Sequence, residues 1–154
     1  MADPLSTVAS IIAVLQLAAK TTQYVKDLKH GSSDRVRLRD ELRSTVCLLE
    51  MLKDRIEDSE ETTEAAETLK PMSMKSLAGS DGPLSLFKRI LEEIAEKLAP
   101  QERLRQLSRP FTWPFDKKDV AELLLSLERL KSHFSLVMQN DLVYGLFFVL
   151  QVPR

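Results

Sequence analysis

The sequence has few of the residues from which catalytic and metal sites are built. Its 154 residues include one cysteine, two histidines and four glycines. A single cysteine excludes an internal disulfide, and with two histidines it offers no ligand set for a metal. The glycines form no phosphate-binding loop, and no serine stands in a nucleophile elbow. We therefore expect no enzyme, no catalytic residues, no cofactor, no metal site and no small-molecule substrate.

The sequence also lacks an excess of charge of either sign. Its 22 Lys and Arg residues and 23 Asp and Glu residues give a formal net charge of −1. Nothing in this balance calls for nucleic acid as a partner. With 44% hydrophobic and 29% charged residues, the chain is typical of one globular domain with its own core. The near absence of cysteine makes the cytoplasm the expected location.

Charge is missing altogether from one stretch near the start of the chain. No charged residue lies between Asp3 and Lys20. Apolar residues recur there at helical spacing, which predicts a first helix that begins at about Pro4 and ends at Gly31. A helix this apolar is either deeply buried or directed to a membrane. The sequence leaves open whether it packs inside the protein or projects from it.

Two membrane-related interpretations do not fit this stretch. A permanent transmembrane helix needs about 20 consecutive apolar residues, and Ser6, Thr7, Ser10 and Gln16 interrupt this one. A secretory signal has positive residues before its apolar run, whereas residues 1–4 contain none. We therefore expect the segment to stay in the mature protein.

The rest of the chain also favours helix. Long runs rich in Leu, Lys, Glu and Arg are separated by few breaks, so we predict an all-α fold, a helical bundle of four to five main helices. The second helix should begin at Ser32 or Ser33 and end near Asp58. Asp81 should cap the helix that restarts at Pro83, and Asp116 the last one. The predicted core positions of these helices are Leu38, Leu42, Val46, Leu49, Leu52, Ile56, Leu84, Phe87, Leu91, Ile94, Leu98, Val120, Leu123, Leu127, Leu130, Phe134 and Val137.

Three segments between or within the helices have weaker patterns. Residues 57–67 hold six carboxylates and no base, which indicates a loop with a short or frayed helix. Pro100 should end its helix or open a short one. The prolines of residues 109–115 make that segment a non-helical hinge. Within it, Trp113 and Phe115 either anchor the connection to the core or contact a partner.

Two further features concern single segments of the chain. Cys47 stands beside the apolar face of the second helix, where we expect a packed thiol. Residues 142–150 carry no charge. We therefore divide the chain into a bundle domain, residues 1–141, and a hydrophobic C-terminal tail, residues 142–154. The tail either packs on the bundle or mediates self-association.

Several motifs resemble the N-terminal HeLo-like domain of fungal NOD-like (STAND) receptors. The most specific are Trp113-Pro114-Phe115-Asp116-Lys117-Lys118 and the closing Gln139-Asn140-Asp141. The similarity extends over residues 6–17, 24–27, 48–55, 82–84, 113–120, 127–132 and 139–141.

This resemblance implies a helical bundle that executes cell death or incompatibility. In that family a nucleotide-binding receptor module restrains the bundle until a signal oligomerises it, and the bundle then moves to the plasma membrane. The sequence contains no such module, so the resemblance implies either a domain excised from a receptor or a stand-alone relative, with the nucleotide-binding receptor module as an expected partner. The family's N-terminal hydrophobic helix inserts into the membrane, and it corresponds here to Leu5, Val8, Ile11, Ile12 and Leu15.

Two functional hypotheses follow, and the sequence leaves both open. The first is a membrane-active effector whose partners are lipids, with Lys20, Lys26 and Lys29 contacting anionic headgroups. The second is an adaptor-like bundle that signals without lysis, through homotypic or heterotypic protein contacts. The uncharged first helix motivates the first hypothesis, and the apolar tail motivates the second.

Overall fold

The computed structural model describes residues 4–26, 33–62, 77–106 and 113–151, with side chains for residues 7–26, 33–58, 77–99, 113–140 and Leu150. These residues form four helices and no strand: α1 Pro4–Lys26, α2 Ser33–Thr62, α3 Pro83–Gln106 and α4 Lys117–Gln151. The prediction of an all-α helical bundle is confirmed.

The helices are arranged as a ring around one core. In the described part of the chain α1 packs against α2 and α3, and α4 packs against the same two helices from the other side. Thus α1 and α4 lie at opposite corners, as do α2 and α3. Every predicted core position except Val46 is buried, and Val46 is half-buried against the core. The heptad-like spacing of apolar residues was sufficient to identify these positions.

Contacts of α4 fix the directions of its two neighbours. Lys131 pairs with Glu41, and Arg55 Nη1 donates to the carbonyl oxygen of Met138 at 3.1 Å. Residue numbers increase together along this contact, so α2 and α4 run in the same direction. On the other side Lys97 pairs with Asp119 at 3.3 Å. The rings of Phe87 and Phe134 meet edge to face at 6.3 Å, so α3 and α4 are antiparallel.

The start of α4 is fixed by a reciprocal capping arrangement. Asp116 Oδ1 accepts from the backbone N–H of Asp119 at 2.8 Å, and Asp119 Oδ2 accepts from the N–H of Asp116 at 3.4 Å. The Asp116 carbonyl accepts the first helical bond, from Val120 N–H at 3.1 Å. Asp116 is therefore the N-cap, as predicted, and Asp119 completes a capping box.

The cap of α3 differs from the prediction. The carbonyl of Gly82 accepts from Leu86 N–H at 3.1 Å, so Gly82 is the N-cap and Pro83 is the first helical residue. Asp81 stands one position too early. A turn from Gly79 to Gly82 precedes the helix, closed by a 2.9 Å bond between their backbones. Proline has no backbone N–H group. At the first helical position no hydrogen bond is lost, because the first N–H groups of a helix have no intrahelical partner.

Two predicted helix ends were wrong. Helix α2 continues past Asp58 to Thr62, because Glu is a good helix former and no Gly or Pro occurs there. The Lys53–Glu57 pair at 3.0 Å stabilises the turn that precedes this extension, and its hydrogen bond raises the pKa of Lys53. Helix α3 continues through Pro100 to Gln106. Strong helix formers follow this proline, so one lost backbone bond does not end the helix.

The remaining sequence predictions about single segments have different outcomes. The predicted end of the first helix at Gly31 lies outside the described residues, as do residues 63–76. Cys47 is exposed rather than packed, because its position points away from the buried stripe of α2. Helix α4 crosses the proposed boundary between residues 141 and 142 without a break, and the division into two parts stays a prediction.

Replacing Asp116 by Ala should destabilise the bundle by about 1 kcal/mol, because it removes the cap of α4. The matched control is Lys117→Ala, at the exposed neighbouring position, for which we expect a change within about 0.5 kcal/mol. Urea unfolding followed by circular dichroism measures both. Equal stabilities for the two variants would contradict the role of the cap.

Candidate functional site

Helix α1 packs on the bundle through a single stripe. The buried side chains recur every three or four residues and are Thr7, Ile11, Val14, Ala18, Thr21 and Val25. They face α2 and α3, the two neighbours of α1. The question left open by the sequence is thereby answered for the described residues: the first helix is part of the bundle and contributes to its core.

The five residues assigned to membrane insertion do not form one surface. Ile11 is fully buried, whereas Ile12 is 38% exposed on the other side of the helix. Val8 and Leu15 are half-buried against the core. The side chain of Leu5 lies outside the described residues. Of the four residues whose side chains are described, only Ile12 is exposed, so joint insertion of the set requires α1 to leave its place between α2 and α3.

The outer face of α1 carries no charge over its first turns. The exposed residues there are small or uncharged: Ala9, Ser10, Ile12, Ala13, Gln16 and Ala19. A helix on the surface of a soluble bundle ordinarily has a charged outer face, and α2 has one, with Asp40, Arg43, Glu50 and Asp54 exposed. Helix α1 therefore combines an apolar buried stripe with a nearly apolar outer face.

The lysines assigned to headgroup contact begin where the uncharged stretch ends. Lys20 and Lys26 are exposed, and Lys29 lies outside the described residues. Lys20 Nζ lies 5.9 Å from the centre of the Tyr24 ring. The two side chains line an open groove between α1 and α3, to which Arg89, Glu93 and Glu96 also contribute. The groove holds charges of both signs and does not select an anion.

A hydrogen bond joins the end of α1 to the start of α2. Arg35 Nη1, in the first turn of α2, donates to the carbonyl oxygen of Val25 in the last turn of α1 at 3.4 Å. Thr21 is buried, but its hydroxyl donates within α1 to the carbonyl of Leu17 at 2.9 Å. Because that bond is internal to the helix, it does not tie Thr21 to α2 or α3. The apolar members of the buried stripe are Ile11, Val14, Ala18 and Val25.

Trp113 and Phe115 lie at the junction of α3 and α4. Phe115 is 5% exposed and belongs to the core. Trp113 is half-buried, its ring centre 5.0 Å from that of Phe115. Lys97 Nζ lies 5.0 Å above the Phe115 ring. This geometry suits an anchor for the connection between the helices. Trp113 Nε1 is buried and has no acceptor among the described residues.

The sequence interpretation missed one feature of the surface. Leu125 and Leu136 are 50% and 58% exposed on the outer face of α4. Their buried neighbours follow the predicted core spacing, and each leucine lies between two of them. The sequence did contain a signal for this feature, because both leucines stand at positions that the helical spacing places off the buried stripe of α4. Within the described part of the chain no cluster of His, Cys, Asp or Glu could hold a metal ion.

Comparison with protein-family models, curated proteins and solved structures gives no match for this chain.

Truncating Ile11 and Ile12 separately should show that only one side of α1 supports the fold. Ile11→Ala should lower the free energy of unfolding by about 2–5 kcal/mol, because it empties a buried position. Ile12→Ala should change it by less than about 1 kcal/mol, since a partly exposed side chain loses little burial. Urea unfolding gives both values. Similar losses for the two variants would contradict the described orientation of α1.

Proposed function

We propose that this chain is a membrane-active effector domain, similar to the HeLo-like domains of fungal NOD-like receptors. In this proposal the packed bundle is the resting, cytoplasmic form. Activation releases α1, which enters the plasma membrane, and several copies act together to execute cell death. A nucleotide-binding receptor module is the proposed upstream partner.

The observation that carries the proposal is the uncharged outer face of α1. A helix that only served the core would need apolar residues on its buried stripe alone. Here the solvent side is free of charge from Ala9 to Ala19 as well. Such a helix meets no charge penalty in lipid along this stretch. By length and composition alone, the segment Thr7–Lys26 could cross a membrane. Buried core helices also meet this criterion, and the segment reaches that length only by including Lys20 and Lys26.

Transfer of α1 from the core of the bundle to lipid should cost its own apolar side chains little free energy. Ile11, Val14 and Val25 would pass from the core into lipid, and both environments are apolar, so their burial is largely preserved. The Thr21 hydroxyl keeps its acceptor inside α1, as a buried polar group must in a bilayer. The cost falls on the remaining bundle, because α2 and α3 lose their apolar cover. That cost keeps α1 packed until a trigger or a membrane offsets it.

The length of the uncharged stretch favours either an interfacial position in the membrane or insertion by several copies together. Residues 4–19 would extend about 24 Å as a helix, less than the roughly 30 Å hydrocarbon core. Lys20 and Lys26 follow, and near an anionic surface each contributes about 1 kcal/mol of attraction. A helix of this length suits an interfacial position or an assembly of several copies.

A second candidate function is a non-lytic adaptor that works through protein contacts. The exposed leucines of α4 favour it, since contiguous apolar surface often marks an interaction site. This candidate predicts association that does not depend on lipid. The two candidates can therefore be separated by one assay with vesicles.

Replacing Ile12 by Glu should abolish dye release from anionic vesicles without unfolding the bundle. The position is partly exposed, so the carboxylate remains solvated in the packed form. In the membrane a charge costs about 3 kcal/mol at the centre of a helix, which corresponds to about a hundredfold weaker insertion. The measurement is leakage of an encapsulated dye, with circular dichroism of each variant as the test of folding.

The matched control is Met51→Glu, which adds the same charge at an exposed apolar position of α2. Its leakage activity should equal that of the parent chain. Equal activity of the folded Ile12→Glu variant would refute insertion through α1. A folded parent chain that neither releases dye nor sediments with vesicles would favour the adaptor function instead.

A further inference from the structure

The outer face of α4 carries a row of exposed leucines that the fold does not use. Leu125, Leu136 and Leu150 are 50%, 58% and 77% exposed. The first two lie about three helical turns apart, and Leu150 follows about four turns later. Ser132 stands seven residues after Leu125 and four before Leu136. At 3.6 residues per turn all four residues fall within about 40° of one another around the helix axis, so they lie on one line along α4. We call these four residues the α4 stripe.

The opposite side of α4 already has its partners. Leu127, Leu130 and Phe134 are fully buried in the core between α2 and α3. In the described ranges α1 exposes one large apolar residue, Ile12, and α3 exposes none. Helix α2 exposes Val36 and Met51, but they lie about 60° apart around the helix axis. The α4 stripe is therefore the one described helix face on which large exposed residues align.

The charges beside the α4 stripe differ between its two flanks. Helical spacing places Glu128 on one flank, and Arg129 and His133 on the other, and all three are exposed. Neither Glu128 nor Arg129 has an ion-pair partner among the described residues. Glu122, on the basic flank, pairs with Lys118 at 3.9 Å within the same helix.

We propose that the α4 stripe is a docking surface for the same stripe of a second copy of this chain, with the two α4 helices parallel. In parallel packing each flank of one helix faces the opposite flank of the other. Glu128 then faces Arg129 of the second copy, and the reverse pair forms by symmetry. In antiparallel packing like flanks meet. The exposed base on the flank of Glu128 is Lys117. With Leu125 against Leu136 of the second copy, that copy's lysine then lies about 24 Å along the helix from Glu128, too far to pair with it. The charge pattern therefore selects both the partner and its direction.

This inference goes beyond the proposed function and does not depend on it. A bundle that dimerises through α4 leaves α1 at the opposite corner of the ring, free to stay packed or to be released. Association through α4 should therefore occur in water without lipid. Its failure would leave membrane entry of α1 untouched, and a failure of membrane entry would leave the dimer in place.

The first test is sedimentation equilibrium of the 17.5 kDa chain in lipid-free buffer. We expect a reversible monomer–dimer equilibrium for the parent. Leu136→Asp should weaken it by at least about tenfold, because a carboxylate replaces the central apolar contact. Met51→Asp, at an exposed position of similar character on α2, should leave it unchanged. A parent that stays monomeric, or a folded Leu136→Asp variant that dimerises like the parent, would overturn the proposal.

Charge reversal tests the parallel direction. Glu128→Arg places a guanidinium opposite Arg129 of the second copy, and Arg129→Glu places two carboxylates face to face. Each single variant should weaken dimerisation by about tenfold, because like charges meet at the interface. The double variant Glu128→Arg/Arg129→Glu should restore it to within about threefold, since it exchanges the two charges. Loss in both single variants without recovery in the double variant would overturn parallel packing.

Discussion

The packing of α1 between α2 and α3 is the contact on which the rest of the structure depends. Because α2 and α3 lie at opposite corners of the ring, α1 alone covers that side of the core in the described structure. Ile11, Val14, Ala18 and Val25 form the apolar part of this contact, and Arg35 adds a hydrogen bond at the end of the helix. Apolar packing has no preferred partner chemistry, so a bilayer can replace it where a network of hydrogen bonds could not be replaced.

This constraint connects the fold to the proposed activity. The outer face of α1 offers little resistance to lipid, whereas removal of α1 uncovers apolar residues of α2 and α3. The bundle is therefore the stable form in water. If α1 leaves, a membrane or other copies of the chain must bury the apolar residues of α2 and α3 that it exposes. Helix α4, at the opposite corner, can hold two copies together while α1 changes its surroundings. The two surfaces are separated by the core and need not compete.

The sequence predicted most of the fold because the buried stripes follow helical spacing closely. The N-cap at Asp116 and the restart at Pro83 also followed from local chemistry. The errors at Thr62 and Pro100 have a common cause: strong helix formers carried each helix past a local signal that favours an end. Cys47 was placed wrongly because a residue next to a buried stripe can point to either side.

The site was less predictable than the fold. Sequence identified α1 and its apolar character, but it did not distinguish the buried Ile11 from the exposed Ile12. That difference depends on which neighbours flank α1, which is set by packing with α2 and α3. The exposed leucines of α4 were hidden for a similar reason. Leucine is a common residue, and only the arrangement of the helices in the bundle shows which leucine side chains stay exposed.

The most direct test of the central claim places a fluorescent label on α1 and another on the body of the protein. One chain carries the label at Ile12→Cys in a Cys47→Ser background, and the other carries it at the exposed native Cys47. Both are mixed with anionic vesicles whose acyl chains bear a quencher. If α1 enters the membrane, the label at position 12 is quenched and the label at position 47 is quenched little. Equal quenching at both positions, or none at position 12 for vesicle-bound protein, would contradict the entry of α1 into the membrane.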